Sequence, residues 1–388
     1  MVRLIYLSDF TESYPFRLLK GILSYSKGQT PWVVCRMPTF FRKEKGMKSL
    51  LEWAVKWKAD AIIGQFEPHD DLSLFLRNGI LAIAQDYEER FPYIANITGN
   101  YLEQGAEAAD FFVSKGFHHF AFYGYSHSVW SRERKEGFQQ KLQAFGYDHI
   151  EVYERQSLTN LWYYQSSPLQ KWLEHLPPQT ALLACDDTRA NVILEVCRLI
   201  GKKVPTDLAV LGIDNDELTC SLSYPSLSSI NLDVESAGYD VAKYITEHLA
   251  NPAAPVHDIN VCTMGIIERQ SSEIFCTQNK YILHVMEYIH QHYSETLPVS
   301  TLLSLVPMSR RLFEETFLKE TGHTIHQYII ELRLRRMKQL LITTDRSISD
   351  LALETGLSDA RNVARIFNTH LGITPQQYRN QHSKKNNK

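Results

Sequence analysis

Ala181-Leu182-Leu183-Ala184-Cys185-Asp186-Asp187-Thr188-Arg189-Ala190 is the stretch whose reading decides the fold of most of this chain. A run of five apolar residues bounded by charge is too short for a helix and reads as a buried strand. The two acids and the residues after them read as the start of a helix. The plan recurs at Ala209-Val210-Leu211-Gly212-Ile213 ahead of Asp214-Asn215-Asp216, and at Leu4-Ile5-Tyr6-Leu7 ahead of Ser8-Asp9. Further strand-like runs cover Trp32 to Arg36, Ala61 to Ile63, Leu81 to Ala84 and His119 to Tyr123. Between the runs lie amphipathic stretches at Tyr14 to Ser26, Lys48 to Trp57, Tyr101 to Lys115, Arg132 to Phe145, Thr188 to Ile200 and Val234 to Ala250. Such alternation predicts an α/β architecture with parallel sheet from Leu4 to about Arg269.

Ligands of open α/β sheets bind outside the carboxyl ends of the strands. Here those ends carry Asp9, Asp186 and Asp214, and a carboxylate so placed can accept hydrogen bonds from neighbouring hydroxyls of a sugar. The same acids suit the plainer role of capping the helix that follows. Aromatic residues flank these positions, among them Phe10, Tyr14, Phe16 and Trp130, which can stack on a sugar ring or simply fill core. No GxGxxG follows a strand, which disfavours a dinucleotide-binding enzyme.

The last quarter of the chain has a different period, helical throughout. Val299 to Val306, a turn at Pro307-Met308 and Ser309 to Lys319 make one helix-turn-helix pattern. A second follows, with Ile348, Leu351 and Ala352, a break at Gly356 and a helix from Asp359 through Phe367. Ile325 to Leu341 links the two and Tyr281 to Tyr293 precedes them. In such units the second helix enters the major groove. Ser309, Arg310, Arg311 and Glu314 in the first unit, and Arg361, Asn362 and Arg365 in the second, are the candidate DNA-contacting residues, since guanidinium forks fit guanine edges or phosphates and an Asn amide fits adenine. Leu312, Phe313, Phe317, Val363, Ile366 and Phe367 are expected to hold the units together, while Arg333, Arg335 and Arg336 suit either a solvated face or phosphate contact.

Composition agrees with a division of labour. The 388 residues are 44% hydrophobic and 22% charged with a net charge of −3, but from residue 281 onward there are 14 basic and 10 acidic residues, leaving 27 and 34 for the rest. A mildly basic reader behind an acidic sensor is the expected arrangement. The six cysteines form no CxxC pair, so a zinc ribbon or disulfide framework is not expected, and they read as reduced core residues. No histidine cluster has metal-ligand spacing, Gly124-Tyr125-Ser126-His127-Ser128 lacks the second glycine of a nucleophile elbow, and Asp214-Asn215-Asp216 lacks the glycine of a calcium loop. No enzyme, metal or cofactor is therefore expected. With neither a signal peptide nor a membrane-spanning run, a cytoplasmic protein is expected.

The motif series Ala181 to Ala190, Gly201, Val204-Pro205, Asp207, Leu211-Gly212-Ile213-Asp214-Asn215 and Tyr224-Pro225-Ser226-Leu227-Ser228-Ser229-Ile230 resembles the LacI/GalR-type sensor, related to periplasmic binding proteins. The resemblance implies two α/β lobes with a sugar cleft between them and a chain that crosses the hinge more than once. It puts Arg134 where the family places a sugar-binding arginine, Asp186 where the family usually has Asn, and Asp214 after the Gly-Ile strand. Gly99 replaces the family's acid before Asn100. Because the first strand is expected almost at Met1, the family's amino-terminal DNA-binding headpiece is expected to be missing.

The carboxyl-terminal pattern, Ser309, Phe313, Phe317, Gly322, then Gly356, Phe367, Gly372, Thr374-Pro375 and Tyr378-Arg379, resembles the AraC-type DNA-binding domain. The chain departs from that family at Glu315, Leu318, Asn362-Val363 and Asn368, which alters its expected base preference. Together the resemblances imply a sensor at 1–270, a linker at 271–280, a reader at 281–382 and a polar, basic, disordered tail at 383–388. They imply a homodimeric, sugar-responsive activator of pentose-utilisation genes that binds an operator duplex and meets RNA polymerase. D-xylose is the expected effector, with arabinose or a hexose as alternatives. A regulator worked by protein contacts, its cleft vestigial, is the rival reading.

Overall fold

A computed structural model describes residues 1–27, 31–155, 167–277, 279–357 and 360–382. The strands in chain order are β1 (Val2–Leu7), β2 (Trp32–Met37), β3 (Ala61–Gly64), β4 (Leu81–Gln85), β5 (Ala95–Gly99), β6 (His119–Tyr125), β7 (Glu151–Arg155), β8 (Thr180–Ala184), β9 (Leu208–Asp214), β10 (Ser228–Leu232), β11 (Ile259–Val261) and β12 (Thr263–Ile267). They form two six-stranded sheets, ordered β11-β5-β4-β3-β1-β2 and β12-β10-β9-β8-β6-β7. Pairing is parallel along the first sheet and from β10 through β9 and β8 to β6 in the second. Each order reverses once, between β1 and β3 and between β6 and β8, and ligands of doubly wound sheets bind at such reversals.

The seven strands expected from sequence are present within a residue or two of their expected bounds. Five more were not expected. β5 and β10 carry Asn96, Thr98, Ser228, Ser229 and Asn231, polar residues that break an apolar run yet are buried or half-buried against neighbouring strands. β7, β11 and β12 lie at sheet edges, where the apolar pattern is weakest.

The chain divides into two compact units: residues 1–101, 125–133 and 232–263 in the first, and 102–124, 134–231 and 264–388 in the second. In the first, Ile5, Leu7, Ile62, Phe66, Phe75 and Ala82 lie at the centre of the core, and helix Ser13–Ser26 meets helix Val234–Ala250 at Gly21 and Gly238. A Cβ at Gly21 would fall 1.9 Å from the Glu235 carbonyl oxygen, and one at Gly238 2.1 Å from that of Leu18, so both positions require glycine for the two backbones to touch.

The second unit holds the other sheet and the helical region as well. Its α/β core gathers Leu182, Ala184, Ile193, Val196 and Val210. Helix Ile325–Thr343 is shared between two further cores: its first half packs with Phe313 and Phe317, its second half with Leu351, Val363 and Phe367. This is why the two helix-turn-helix units keep a fixed spacing. Gly356 has φ of 73° and its neighbourhood is the carbonyl oxygens of Tyr293 and Ser294, so that turn needs glycine twice over. The stretch expected as a linker is strapped to the lobe along 271–277: Ser271 and Ser272 are wholly buried, Ser271 Oγ donates to the Val210 carbonyl (2.7 Å), and the Cys276 amide donates to that of Lys115 (2.8 Å). The tail 383–388 lies outside the described residues.

Candidate functional site

At the reversal of the second sheet, helix Val129–Ala144 follows β6 and brings Arg134 to the end of β8, where its side chain is almost completely buried. A buried guanidinium must spend its donors on acceptors. Nε donates to Gln104 Oε1 (2.8 Å), Nη1 donates to the Cys185 carbonyl (2.5 Å), and Nη2 stands 3.6 Å from Asp214 Oδ1. Asp214 closes β9 at φ of 109° and Asn215 follows at φ of 50°, two consecutive left-handed residues that need outside support. Asp187 supplies part of it. Its buried carboxylate accepts the Asp216 amide (2.6 Å) and Ser229 Oγ (2.6 Å), and a Cβ on Gly212 would meet it at 2.2 Å. Burial, with Asp214 nearby, pushes the Asp187 carboxyl well above the usual range. Arg269 holds Asn215 from the other side, through Nη2 to Oδ1 (2.8 Å), while its Nη1 donates to the Leu227 carbonyl (2.7 Å).

Arg134 and Asp214 are thus brought together. Asp186 takes the plainer role: it caps helix Asp187–Ile200, accepting the Arg189 amide (2.8 Å) and pairing with the Arg189 guanidinium (3.2 Å). Gln104, Asp187 and Arg269 were missed as site residues. Gln104 lies in the first turn of helix Tyr101–Ser114 with no motif around it, and Asp187 sits beside the better-marked Asp186.

In the first unit, Asp9 is exposed after β1, and its Oδ1 accepts the Thr11 amide (3.0 Å) and hydroxyl (2.8 Å) in a tight turn. Phe10 packs edge-on to Tyr6 and Phe16 at centroid distances of 5.3 and 5.7 Å, and the Arg36 guanidinium lies over both Phe rings. Trp130 stands in the first turn of helix Val129–Ala144 and packs edge-on against Tyr125 at 6.2 Å. Asp86 was not expected at all. It is buried beyond β4, bonded to Thr98 Oγ1 (2.6 Å) and Arg90 Nε (3.1 Å), and burial pushes its carboxyl up to about 6. Arg90 in turn grips Glu133 through two bonds of 2.6 and 2.8 Å.

The reader presents helix Arg310–Thr321, capped by Ser309, whose Oγ accepts the Leu312 amide (3.4 Å). Phe313 and Phe317 face inward, leaving Arg310, Arg311, Glu314 and Glu315 on the open side. There Arg310 pairs with Glu314 (2.9 Å) and Arg311 with Glu315 (2.8 Å). Leu312 is corrected by the structure: it is 52% exposed on this face and does not join the core. On helix Ala360–Leu371, Val363, Ile366 and Phe367 are buried and Arg365 is exposed. The side chains of Arg361 and Asn362, and the whole of Asp359, the expected start of that helix, lie outside the described residues. Arg333 is half-buried and donates to the carbonyls of Tyr293 (2.7 Å) and Glu295 (2.6 Å), so much of its donor capacity is spent within the reader. Cys262 is exposed and Cys35 half-buried, so only the other four cysteines are core residues. Among the described residues there is no cluster of three metal-ligating side chains, and no helix is long and apolar enough to cross a membrane.

Residues 109–272 match the model of the periplasmic binding protein-like domain and residues 302–381 that of a helix-turn-helix domain. The xylose operon regulatory protein of Escherichia coli K12 is 29% identical over 98% of this chain and 97% of its own length. That of Haemophilus influenzae is 30% identical over 82% of this chain and 84% of its own. A solved xylose-binding transcription activator is 29% identical, covers 98% of both chains and superposes with a TM-score of 0.57. A LacI-type regulator from Alkaliphilus metalliredigens, complexed with D-xylulofuranose, shares the fold over 69% of this chain and 98% of its own at a TM-score of 0.59 and 20% identity.

Proposed function

Because this chain belongs to the family of the xylose operon regulatory proteins, we propose that its effector is D-xylose or a closely related pentose, recognised at the strand ends that carry Arg134 and Asp214. The chain is a sugar-responsive transcription regulator and not an enzyme. The observation that carries the sugar assignment is Arg134 itself, a buried cation at a sheet reversal with Nε and Nη1 committed to protein acceptors and Nη2 turned toward Asp214. An Arg donor beside a carboxylate acceptor matches the alternating donor and acceptor character of adjacent sugar hydroxyls. A mismatch at one of them leaves a buried group unpaired, at a loss of about 1–3 kcal/mol. Asp9 and Trp130 are further sugar-binding candidates, the tryptophan through its apolar face, and Asp186 acts by fixing the helix beside Arg134 and Asp214.

The sugar binds one conformation of the sensor in preference to another and so shifts its population, which changes how the reader engages DNA. Ser309, Arg310, Arg311 and Glu314 read one major-groove segment, and Arg361, Asn362 and Arg365 read the next, about 34 Å along the duplex. The regulator works in the cytoplasm as a homodimer and activates transcription by contact with RNA polymerase. Isothermal titration with D-xylose, L-arabinose, D-ribose and D-glucose tests the assignment: saturable heat with a pentose, lost in Arg134→Ala, is expected. Heat with glucose alone, or with none of the four, overturns it.

A further inference from the structure

Helix Tyr101–Ser114 touches the sugar arginine at one end and the DNA reader at the other. At its start, Gln104 is wholly buried, Oε1 accepts from Arg134 Nε, and Nε2 has no hydrogen-bond partner among the described residues. One residue on, Gly105 lies so close to helix Val129–Ala144 that a Cβ would fall 2.0 Å from the Arg134 carbonyl oxygen. Gly137 returns the contact, 1.9 Å from that of Leu102. The two helices therefore meet backbone to backbone at the arginine, with no layer of side chains to absorb a shift.

Two to three turns further along, about 10–16 Å at 1.5 Å per residue, the same helix and the residue just past it carry the reader. Phe111 lies under the Arg335 guanidinium at 5.4 Å and under the Lys115 ammonium at 5.2 Å. Val113 meets the turn at Gly322, where a Cβ would fall 2.8 Å from Cγ1. Lys115, just past the helix, is buried, pairs with Glu268 (2.5 Å) and lies over Phe275 at 4.8 Å. A cavity of about 10 Å³, room for a single water, is lined by Ser114, Lys115, His290, Tyr328, Glu331 and Arg335, so the contact is closely packed. Arg335 belongs to helix Ile325–Thr343, which serves both helix-turn-helix cores.

We propose that helix Tyr101–Ser114 is the coupling element of this regulator: Gln104 is the positioning residue that fixes Arg134 at the sugar end, and Phe111 with Arg335 transmits the shift to the reader. The proposal rests on Arg134 being a sugar ligand. A sugar that draws Nη2 of Arg134 pulls on helix Val129–Ala144, and the glycine contact passes that movement to helix Tyr101–Ser114. The same helix presses on the element that holds the reader's two halves in register.

The test is titration calorimetry and hydrogen–deuterium exchange on the full chain with and without D-xylose. In the unaltered chain, sugar is expected to change exchange in both 101–115 and 325–343. In Arg335→Met, which keeps the apolar stem and removes the charge over Phe111, sugar affinity and the change in 101–115 are expected to remain, and the change in 325–343 to vanish. Persistence of the change in 325–343 overturns the coupling while leaving the sugar site standing. Gln104→Leu is expected to weaken sugar binding about tenfold, as loss of one charge-assisted hydrogen bond does. Gln104→Glu, which keeps the acceptor and sacrifices no bond at Nε2, is expected to restore it. Equal loss in the Leu and Glu variants overturns the positioning role. Absence of heat with D-xylose in the unaltered chain overturns the sugar reading itself, and the coupling with it.

Discussion

The two lobes share a scaffold and differ in what stands on it. Each has a six-stranded sheet with one reversal of strand order, and each joins two helices through a pair of glycines, Gly21 with Gly238 in the first and Gly105 with Gly137 in the second. At the strand ends the chemistry separates. The first lobe offers aromatic rings, Phe10 and Phe16 under Arg36, and an exposed Asp9 occupied by its own turn. The second offers Arg134 and Asp214, held by Gln104, Asp187 and Arg269, and the reader is packed on this lobe. On the proposed reading, this common frame separates two jobs: apolar contact in one lobe, and in the other discrimination of hydroxyls beside the packed reader.

The largest effect that follows is at the sugar site. Arg134→Ala should weaken sugar binding by about a hundredfold or more, because two committed acceptors and Asp214 lose a buried cationic partner. Trp130→Ala in the first lobe should cost about tenfold or less, the scale of one aromatic contact. Titration calorimetry on both variants checks the contrast, and equal losses would erase the distinction between the lobes.

Next come the glycine pairs. Gly21→Ala and Gly105→Ala should each destabilise by about 1–3 kcal/mol, since a methyl group meets a carbonyl oxygen at 1.9 or 2.0 Å and the helices must part. Thermal unfolding should show similar falls in midpoint. Sugar affinity should fall only in Gly105→Ala, where the parted helix carries Arg134; a fall in Gly21→Ala as well would show that the first lobe's helices also govern the site.

Much of this frame was legible. Apolar runs marked seven strands, the acid after one of them marked Asp214, and the resemblance to the LacI/GalR-type sensor marked Arg134. What remained hidden has particular physical causes. Polar residues of β5 and β10 satisfy themselves against adjacent strands, which no local pattern reveals. The roles of Gln104 and Asp187 arise from contacts 30 and 29 residues away along the chain, to Arg134 and Asp216. Arg333 and Arg335 read as one basic cluster, yet one is spent on backbone carbonyls and the other on Phe111. Leu312 fitted an apolar stripe by spacing alone, and the helix turns it outward.

A smaller contrast lies in the response to pH. In the second unit, burial holds His290 down at about 3 and His323 at about 4, both among the cations Lys115, Lys141, Arg335 and Arg336, although Glu331 lies 3.5 Å from His323. A histidine with a depressed folded value contributes stability that is complete above its unfolded value of about 6.5 and is lost as pH falls toward the folded one. The reader's seat should loosen from about pH 6.5 downward, partly offset by Asp110 and Glu331, which burial pushes up. Asp86 in the first unit runs the other way. Its folded value of about 6 lies above the ordinary carboxylate value, so its contribution is complete at low pH and is lost as pH rises through 6. Protection factors from hydrogen exchange at pH 5 and 7, corrected for intrinsic rates, should fall on acidification in 280–343 and not in 81–99. A parallel fall in both would remove the contrast.

The smallest effect repeats the division of labour inside the reader. Helix Arg310–Thr321 carries Arg310, Arg311 and Lys319 against Glu314, Glu315 and Glu320, and both arginines are already paired on the open face. Helix Ala360–Leu371 carries Arg361 and Arg365 and no acid. The first helix must therefore release its glutamates to meet phosphate, while the second starts with a surplus of positive charge. Each exposed pair contributes only about 0.3–0.5 kcal/mol, so the cost of release is slight. Replacing Glu315 with Gln, which leaves the DNA-reading Glu314 in place, should raise affinity for a duplex selected by the full chain by about twofold at low salt, and should steepen the dependence of log K on log salt by up to about one, as the freed Arg311 gains a phosphate. Filter binding across a salt series measures both. An unchanged slope would mean that Arg311 reaches a base edge or solvent and that the second helix holds more of the backbone, a sharper division within the reader than its charges alone imply.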